Sequence, residues 1–169
     1  ESLAARDSMG SMLRAYPGAG EMDGGHDFAE LNLGERDMQE VVLYPFARAI
    51  KAGARGVMVE RSVYDGIPAI ASRHYLTDLL RDEWGFTGIT MADAFGVQHL
   101  THEWMRVARD NVEAAAMALK AGLDQSMPDG LTGERIDGSS EMRAYGRLPD
   151  ALERGLIELK DIDTAVCHV

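Results

Sequence analysis

Four short apolar segments, each followed by a glycine-bearing polar loop and then a helical pattern, restrict the fold of this chain more than any other feature. They span residues 12–16, 56–60, 88–92 and 122–127. Strands that alternate with helices are typical of parallel sheets, since each parallel connection needs a crossover that a helix can fill. The sequence therefore predicts an α/β fold with four consecutive βα units.

Capping residues delimit the predicted helices. Ser72 is expected to start one helix, and Asp110 with Glu113 has the spacing of a capping box at the start of another. A third helix is predicted over residues 35–52 and contains Pro45. Because proline lacks a backbone donor, we expect a kink in that helix.

The chain is strongly acidic, and this restricts its partners. With 28 Asp and Glu against 17 Lys and Arg, its formal net charge is −11 at pH 7. Nucleic acids and anionic membranes bind basic surfaces, so neither is expected as a partner. No apolar run approaches the about 20 residues of a membrane span. Cys167 is the single cysteine, and no His or Asp spacing suggests a metal, so no metal or other cofactor is expected.

The most specific motif ends at Asp93. Its residues are Leu76-Thr77-Asp78-Leu79-Leu80-Arg81, Glu83-Trp84-Gly85-Phe86, Gly88 and Ala92-Asp93. Asp93 directly follows the predicted strand at 88–92, and in parallel α/β folds the catalytic groups lie at the carboxyl ends of strands. Asp93 is therefore a candidate catalytic carboxylate. The alternative is an Asp that caps the next helix or completes a turn.

This motif resembles the signature of glycoside hydrolase family 3, the β-glucosidase and β-xylosidase family, in which the matched Asp is the catalytic nucleophile. Segments on both sides resemble the family as well. They include Gly24-Gly25, Leu43-Tyr44-Pro45-Phe46 and Asp65-Gly66-Ile67-Pro68-Ala69 upstream, and Glu113-Ala114-Ala115, Ala121-Gly122-Leu123-Asp124 and Met127-Pro128 downstream. The resemblance covers nearly all of residues 1–169, which we expect to form one partial catalytic domain.

The resemblance implies a (β/α)₈ barrel, or TIM barrel, of which this chain supplies the last four βα units. A complete barrel needs about 250 residues, whereas this chain has 169. It begins with Glu1 and stops at Val169 inside a helical pattern, so both ends are expected to be cut. The expected partners are the missing barrel half and the C-terminal domain of the same protein, together with a carbohydrate substrate. The compartment stays open.

A half barrel on its own is expected to expose the inner faces of its strands and to associate through them. The residues expected on these faces are Val57, Val59, Ile89 and Met91.

The resemblance also implies substrate-binding residues. Arg14 occupies the position of a family Lys that binds sugar hydroxyls, whereas Ala15 replaces the His that follows it. Arg61 occupies the position of a family Tyr. An Arg beside Asp93 compensates the charge of the carboxylate, yet a very tight pair would suppress attack. We expect Arg14 and Arg61 at the sugar, in a site whose contacts are altered.

His26 is the third expected substrate contact, and its role has alternatives. In the N-acetylglucosaminidase branch of the family a His of this loop is the acid/base, and Asp27 would orient it here. Aligning Gly24-Gly25 with the GGR segment of the glucosidases instead puts His26 at the Arg position, as a sugar contact. A solvated loop His is the third alternative.

Three other residues are expected to have structural roles. Glu60 ends the predicted strand at 56–60, and we expect it to meet Arg61 or solvent rather than to act as a second carboxylate. Asp124, predicted at the end of the last strand, matches a family Asp with a structural role. Trp104 is expected in the core rather than stacked on a sugar ring.

The sequence thus predicts an enzyme that hydrolyses β-glucosides or β-xylosides with retention, by a double displacement in which Asp93 is the nucleophile. In the glucosidase branch the acid/base is a Glu of a separate C-terminal domain, so we expect it from outside this chain. Two alternatives remain. One is a non-catalytic carbohydrate-binding relative, and the other is a family 3 β-N-acetylglucosaminidase that uses His26 as acid/base.

Overall fold

A parallel four-stranded sheet forms the centre of the fold. The computed structural model describes residues 10–26, 28–102, 105–127 and 144–169. The strands are β1 (Met12–Tyr16), β2 (Gly56–Val59), β3 (Val63–Tyr64), β4 (Ile67–Pro68), β5 (Ile89–Ala92) and β6 (Gln125–Ser126). The sheet has the order β1-β2-β5-β6, and every neighbouring pair in it is parallel. This arrangement confirms the predicted α/β class and its parallel βα units.

Helices connect the strands and cover the sheet. The α-helices are α1 (Glu35–Asp37), α2 (Tyr44–Lys51), α3 (Asn111–Ala121), α4 (Leu148–Glu153) and α5 (Leu159–His168). Two π-helices span Met38–Val42 and His74–Glu83. Short 3₁₀ helices span Ala19–Glu21, Asp23–Gly25, Ala69–Ala71, Gln98–Thr101 and Ala144–Arg147.

The predicted helix over residues 35–52 is divided rather than kinked. α1 and the π-helix Met38–Val42 come before Leu43, and α2 starts directly after it. Pro45 lies in the first turn of α2. The backbone donors of a first turn have no partner within the helix, so a proline removes nothing there.

Of the predicted capping box of α3, the contacts of Asp110 are confirmed, whereas the contact of Glu113 differs from prediction. Asp110 accepts hydrogen bonds from the backbone N–H groups of Val112 and Glu113, both at 2.9 Å. The Glu113 carboxylate accepts from the backbone N–H of Arg109, at 2.7 Å, rather than from that of Asp110. Gly122, with φ of 111°, ends the helix in the left-handed region that glycine adopts without strain.

A hairpin that the sequence analysis did not predict follows β2. Strands β3 and β4 pair antiparallel around Asp65 and Gly66, whose φ angles are 50° and 75°. An Asp-Gly pair between two apolar residues is the strongest local signal for such a turn, so the information was present in the sequence. Each strand of the hairpin has only two residues, too few for the alternating pattern that marks longer strands.

The two faces of the sheet differ in burial. Val57 and Val59 are fully buried and pack in the main core with residues such as Leu76 of the π-helix. The expectation that they lie exposed on the inner face is therefore wrong. Side chains alternate along a strand, and these two belong to the set that faces the helices. Ile89 and Met91, also expected on the exposed face, are half-buried.

Candidate active site

Asp93 lies where β5 ends and a tight turn begins. Its backbone N–H donates to the carbonyl of Val59 at 2.9 Å, which extends the parallel pairing by one residue. The turn that follows places Phe95 at φ of 59° and brings the N–H of Gly96 to the carbonyl of Asp93 at 3.0 Å. The structure therefore places Asp93 at the carboxyl end of a central strand, as the sequence predicts.

The two carboxylate oxygens of Asp93 have different surroundings. Oδ1 accepts from the backbone N–H of Ala94 at 2.8 Å. Oδ2 lies 3.5 Å from Nη2 of Arg14 and 3.6 Å from Nη2 of Arg61. Asp93 does not cap the next helix, Gln98–Thr101, which has no side-chain cap. One oxygen therefore supports the turn, and the other faces two cations at distances too long for strong hydrogen bonds.

A β-bulge at the end of β1 presents Arg14 to Asp93. Between Leu13 and Tyr16, β1 holds one residue more than the facing part of β2. Ala15 takes up the extra residue with φ of 67°, in the left-handed region that costs a residue with a Cβ about 1–2 kcal/mol. The Arg14 side chain is 65% exposed. Its guanidinium can therefore move without disturbing the core.

Arg61, in the loop between β2 and β3, is held more tightly than Arg14. Its guanidinium carbon lies 4.7 Å from the centroid of the Phe28 ring. The Phe28 ring in turn lies 4.1 Å from the ring of His99. A guanidinium stacked on an aromatic face keeps its charge while losing conformational freedom. Arg61 therefore presents a fixed positive charge to Asp93.

Glu60 forms a second carboxylate directly beside Asp93. β2 and β5 pair Val59 with Ala92, so the next residues of the two strands, Glu60 and Asp93, lie opposite each other. Both side chains approach the same atom, since Nη2 of Arg14 lies 3.6 Å from Oε1 of Glu60 and 3.5 Å from Oδ2 of Asp93. The sequence analysis expects Glu60 to meet Arg61 or solvent. With only 7% of its side chain exposed, Glu60 does not face solvent, whereas the charge of Arg61 does act on it.

The surroundings of Glu60 favour its protonated form. Burial is the largest cause that raises the pKa of Glu60, and the negative charge of Asp93 and the hydrogen bond to it raise the pKa further. Arg61 and Arg14 act in the opposite direction and do not cancel the rise. Glu60 therefore keeps its proton to a higher pH than an exposed Glu does.

His26 lies away from this group of charged side chains. It is exposed and follows the 3₁₀ helix Asp23–Gly25. It lines a cavity of about 690 Å³ together with residues such as Phe28, Glu30 and Met105, and neither Asp93 nor Arg14 lines that cavity. The structure therefore brings Arg14 and Arg61 to Asp93 but leaves His26 in the neighbouring cavity.

Asp124 lies at the other end of the sheet, contrary to the sequence analysis. It precedes β6, which is only two residues long, and does not follow it. Its Oδ2 accepts from Nη2 of Arg81 at 2.6 Å, and from the N–H and hydroxyl of Thr90 at 2.7 and 2.9 Å. Its Oδ1 lies 2.8 Å from Nδ1 of His168. These contacts support the structural role predicted for Asp124, and they correct its position.

Other expectations bear on ligands and partners. Within residues 10–26, 28–102, 105–127 and 144–169, no group of three or more His, Cys, Asp or Glu is arranged to hold a metal ion. The helices of this part of the chain are too short or too polar to cross a membrane. Asp27, the predicted partner of His26, and Trp104 lie outside the described residues.

Arg14 and Arg61 lie beside Asp93, in line with the sequence analysis, whereas the burial of Glu60 and the contact of Phe28 with Arg61 were not expected. Glu60 could have been found from the alignment of the strands, since two adjacent parallel strands that each end in an acidic residue bring those residues together. Phe28 has no comparable signal. Its contact with Arg61 joins two loops that are more than 30 residues apart in the sequence, and it depends on the fold.

Comparison with known families places nearly the whole chain in one family. Residues 4–169 match the model of the glycosyl hydrolase family 3 N-terminal domain. A periplasmic β-glucosidase of Salmonella typhimurium is 29% identical over all of this chain and 20% of its own length. A β-xylosidase of Formosa agariphila is 39% identical over 82% of this chain and 18% of its own length.

Solved structures give the same picture. A β-glucosidase from Erythrobacter marinus matches 97% of this chain and 20% of its own, with a TM-score of 0.82 and 33% identity. A β-glucosidase from Listeria innocua, solved with isofagomine, matches 95% of this chain and 20% of its own, with a TM-score of 0.80 and 26% identity. The chain spans about a fifth of the length of these relatives.

Proposed function

Because this chain belongs to glycosyl hydrolase family 3, as the match over residues 4–169 shows, we propose that it carries the nucleophile of a retaining β-glycosidase. The proposed reaction is the hydrolysis of β-linked glucosides or xylosides, the substrate classes in the names of its relatives. Asp93 attacks the anomeric carbon and displaces the aglycone, and water then hydrolyses the covalent glycosyl-enzyme.

The position and surroundings of the Asp93 carboxylate carry this proposal. It lies at the carboxyl end of a central strand, its Oδ1 is fixed by the N–H of Ala94, and its Oδ2 lies 3.5 and 3.6 Å from the two arginines, too far for strong hydrogen bonds to them. A nucleophile needs such an arrangement, because one oxygen orients the group while the other keeps its lone pairs for attack.

The arginines support the proposal in two ways. Arg14 and Arg61 compensate the negative charge of Asp93 in a buried place, where an isolated carboxylate would be costly. Arg14 is also exposed enough to turn towards a sugar and donate hydrogen bonds to its hydroxyls. The proposed substrate contacts beside Asp93 are therefore Arg14 and Arg61. His26, also proposed as a substrate contact, lines the neighbouring cavity.

The acid/base group of the proposed reaction comes from outside this chain. In retaining enzymes the acid/base lies about 5–5.5 Å from the nucleophile, so that the anomeric centre fits between the two groups. Glu60 and Asp93 end two paired strands side by side and share Nη2 of Arg14, at 3.6 and 3.5 Å, so Glu60 lies beside the nucleophile rather than across a sugar from it. His26 lines a cavity that Asp93 does not reach.

One observation favours a second candidate function. Two arginines face the Oδ2 atom of Asp93, and arginines that close on this carboxylate would suppress its attack. A relative that binds carbohydrate without cleaving it would keep the same geometry. The long distances of 3.5 and 3.6 Å argue for the catalytic function, since a tight pair is shorter by about 0.7 Å.

Covalent trapping tests the proposed function. The chain, expressed with the sequence that flanks it in its gene, is incubated with 2-deoxy-2-fluoro-β-D-glucosyl fluoride or the corresponding xylosyl fluoride. These reagents form the glycosyl-enzyme readily and release it slowly. Peptide mass spectrometry is expected to place the label on Asp93, and Asp93→Ala is expected to lower turnover of an aryl glycoside by about 10⁴-fold or more.

Asp78→Ala is the matched control. Asp78 is a half-exposed carboxylate that pairs with Arg73 at 3.3 Å on the outside of the π-helix, so its loss should change neither labelling nor turnover. A label on another carboxylate would remove Asp93 from its proposed role. A folded protein that binds the sugar without becoming labelled would establish the non-catalytic function instead.

A further inference from the structure

Glu60 has surroundings that the proposed reaction does not require. Its side chain is buried, lies against Asp93, and shares Nη2 of Arg14 with it, at 3.6 Å from Glu60 and 3.5 Å from Asp93. Two buried carboxyl groups in contact cannot both be ionised without strong repulsion. One proton between them removes the repulsion and supplies a donor for a hydrogen bond.

The charged groups around Glu60 come from three elements. Arg14 approaches from the end of β1, Arg61 follows Glu60 in the loop after β2, and Asp93 stands at the end of β5. With one proton on the carboxyl pair, this group has two positive charges and one negative charge. Loss of that proton adds a second negative charge beside Asp93 and a second strong attraction for Arg14.

We infer that Glu60 is a positioning residue for Asp93, which it holds in the attacking orientation by a hydrogen bond from its protonated carboxyl and releases when it ionises. The inference rests on the proposed function, since it assigns to Glu60 the orientation of the proposed nucleophile. The donor is the Glu60 carboxyl O–H, and the acceptor is an oxygen of the Asp93 carboxylate. The proton stays on Glu60 while Asp93 attacks, so Glu60 is not consumed in the reaction.

Ionised Glu60 would act on Asp93 through both its charge and Arg14. The two carboxylates would repel each other, and the mobile Arg14 side chain would move towards the new charge. Asp93 would then lose its donor and part of its charge compensation on the Oδ2 side, while the N–H of Ala94 alone kept it in place. The rate of attack therefore falls as pH rises through the raised pKa of Glu60.

The trapping reaction isolates this effect, because fluoride is a good leaving group that needs no proton from an acid/base. The rate constant for labelling by the 2-fluoroglycosyl fluoride is measured from pH 4 to pH 10 in the protein with its natural flanking sequence. For the wild type we expect the rate to fall about tenfold at the upper end, in line with the loss of a hydrogen bond to a charged group.

Glu60→Gln is the decisive variant, because the amide has the size of the carboxyl, keeps a donor for Asp93 and does not ionise. Its labelling rate is expected to stay level over the pH range in which that of the wild type falls. Glu60→Ser, whose shorter side chain should not reach Asp93, should also lose the fall but label more slowly than Glu60→Gln at every pH. The same fall in both variants as in the wild type would refute the role of Glu60.

A measurement without substrate gives the protonation of Glu60 independently. A carboxyl whose pKa is higher in the folded than in the unfolded state stabilises the fold at low pH and loses this contribution as pH rises. The free energy of unfolding of the wild type should therefore fall between the ordinary range of Glu and the raised pKa. This fall should be absent from Glu60→Gln, and its persistence would show that another group causes it.

The two proposals can fail separately. If the wild type is labelled on Asp93 and Glu60→Gln keeps the wild-type pH profile, only the positioning role is wrong. If the folded wild type is not labelled on Asp93 at any pH, the proposed function fails, and the role of Glu60 fails with it.

Discussion

The two ends of the central sheet each hold a buried aspartate, and the two are bound in opposite ways. At the amino-terminal side, Asp124 accepts bonds of 2.6–2.9 Å from Arg81 and Thr90 and lies 2.8 Å from His168. At the carboxyl end, Oδ2 of Asp93 faces its cations at 3.5 and 3.6 Å. A carboxylate with short contacts on both oxygens supports the fold, whereas one with long contacts remains open to a substrate.

Backbone strain follows the same division. Within residues 10–26, 28–102, 105–127 and 144–169, five non-glycine residues have positive φ. Phe28, Asp65, Phe95 and Arg106 lie in loops that follow strands, and Ala15 lies in the bulge near the carboxyl end of β1. The loops that enter β2, β5 and β6 use Gly53, Gly85 and Gly122 for this conformation. Strained residues are common at functional sites, where the surrounding fold holds them in place. The difference supports the carboxyl end as the reactive one.

The largest predicted effect is a difference between the two aspartates in how much each stabilises the fold. Asp124→Ala leaves Arg81, whose side chain is 12% exposed, as a buried cation without its carboxylate, and we expect the free energy of unfolding to fall by about 3–5 kcal/mol. Asp93→Asn should change it by less than about 1 kcal/mol, because Arg14 can turn to water. Urea unfolding measures both values. Equal losses would mean that the two carboxylates do not differ as their contacts indicate.

The sequence predicted most of what local patterns determine. The limits of β1 agree with the predicted residues 12–16, and β2 and β5 each differ from prediction by one residue at one end, since their apolar runs are bounded by glycine or charged residues. β6 is much shorter than residues 122–127, and its Gln-Ser sequence has no apolar pattern. That error in length placed Asp124 at the wrong end of the sheet.

Features that depend on how neighbouring strands pair could not be predicted from any single segment of the sequence. The burial of Glu60 follows from the register of β2 against β5, and the position of Arg14 follows from a bulge in β1. Both features need the partner strand for their definition. The residue types of the site could therefore be predicted from single segments, whereas the proximity of its two carboxyl groups could be predicted only by aligning β2 with β5.

A smaller effect is expected from Gly96, which holds the Asp93 turn against the core. A Cβ on Gly96 would lie 2.2 Å from Cδ1 of Ile70 and 3.1 Å from the carbonyl oxygen of Asp93. Gly96→Ala should therefore lower the free energy of unfolding by about 1–3 kcal/mol and should also reduce turnover, because the turn that carries Asp93 must shift. Thermal and urea unfolding give the first value, and kcat gives the second.

Two further variants sharpen the test of Gly96. Ile70→Val removes the Cδ1 atom that an added Cβ would meet, so the double variant should lose less than the sum of the single losses, by about 1 kcal/mol. Gly20→Ala is the matched control, since nothing lies within 4 Å of the Cβ position there. Additive losses in the double variant would mean that the contact with Ile70 is not the cause.

The smallest effect should have opposite signs for stability and activity. Ala15 has φ of 67° in the bulge that presents Arg14, and Ala15→Gly removes this strain at the cost of a more flexible unfolded chain. The net result should be a gain of about 0.5 kcal/mol in the free energy of unfolding. A bulge without the Cβ of Ala15 fixes Arg14 less firmly, so kcat/KM should fall by about 3-fold.

Gly122→Ala is the counterpart at the other end of the sheet, where φ is 111° and a Cβ would lie 2.6 Å from Oγ1 of Thr77. That variant should lose stability without a specific loss of activity in the fraction that remains folded. Unfolding curves give the change in stability, and initial rates measured on the same samples give the change in activity. A loss of stability in Ala15→Gly would show that the bulge stores no strain.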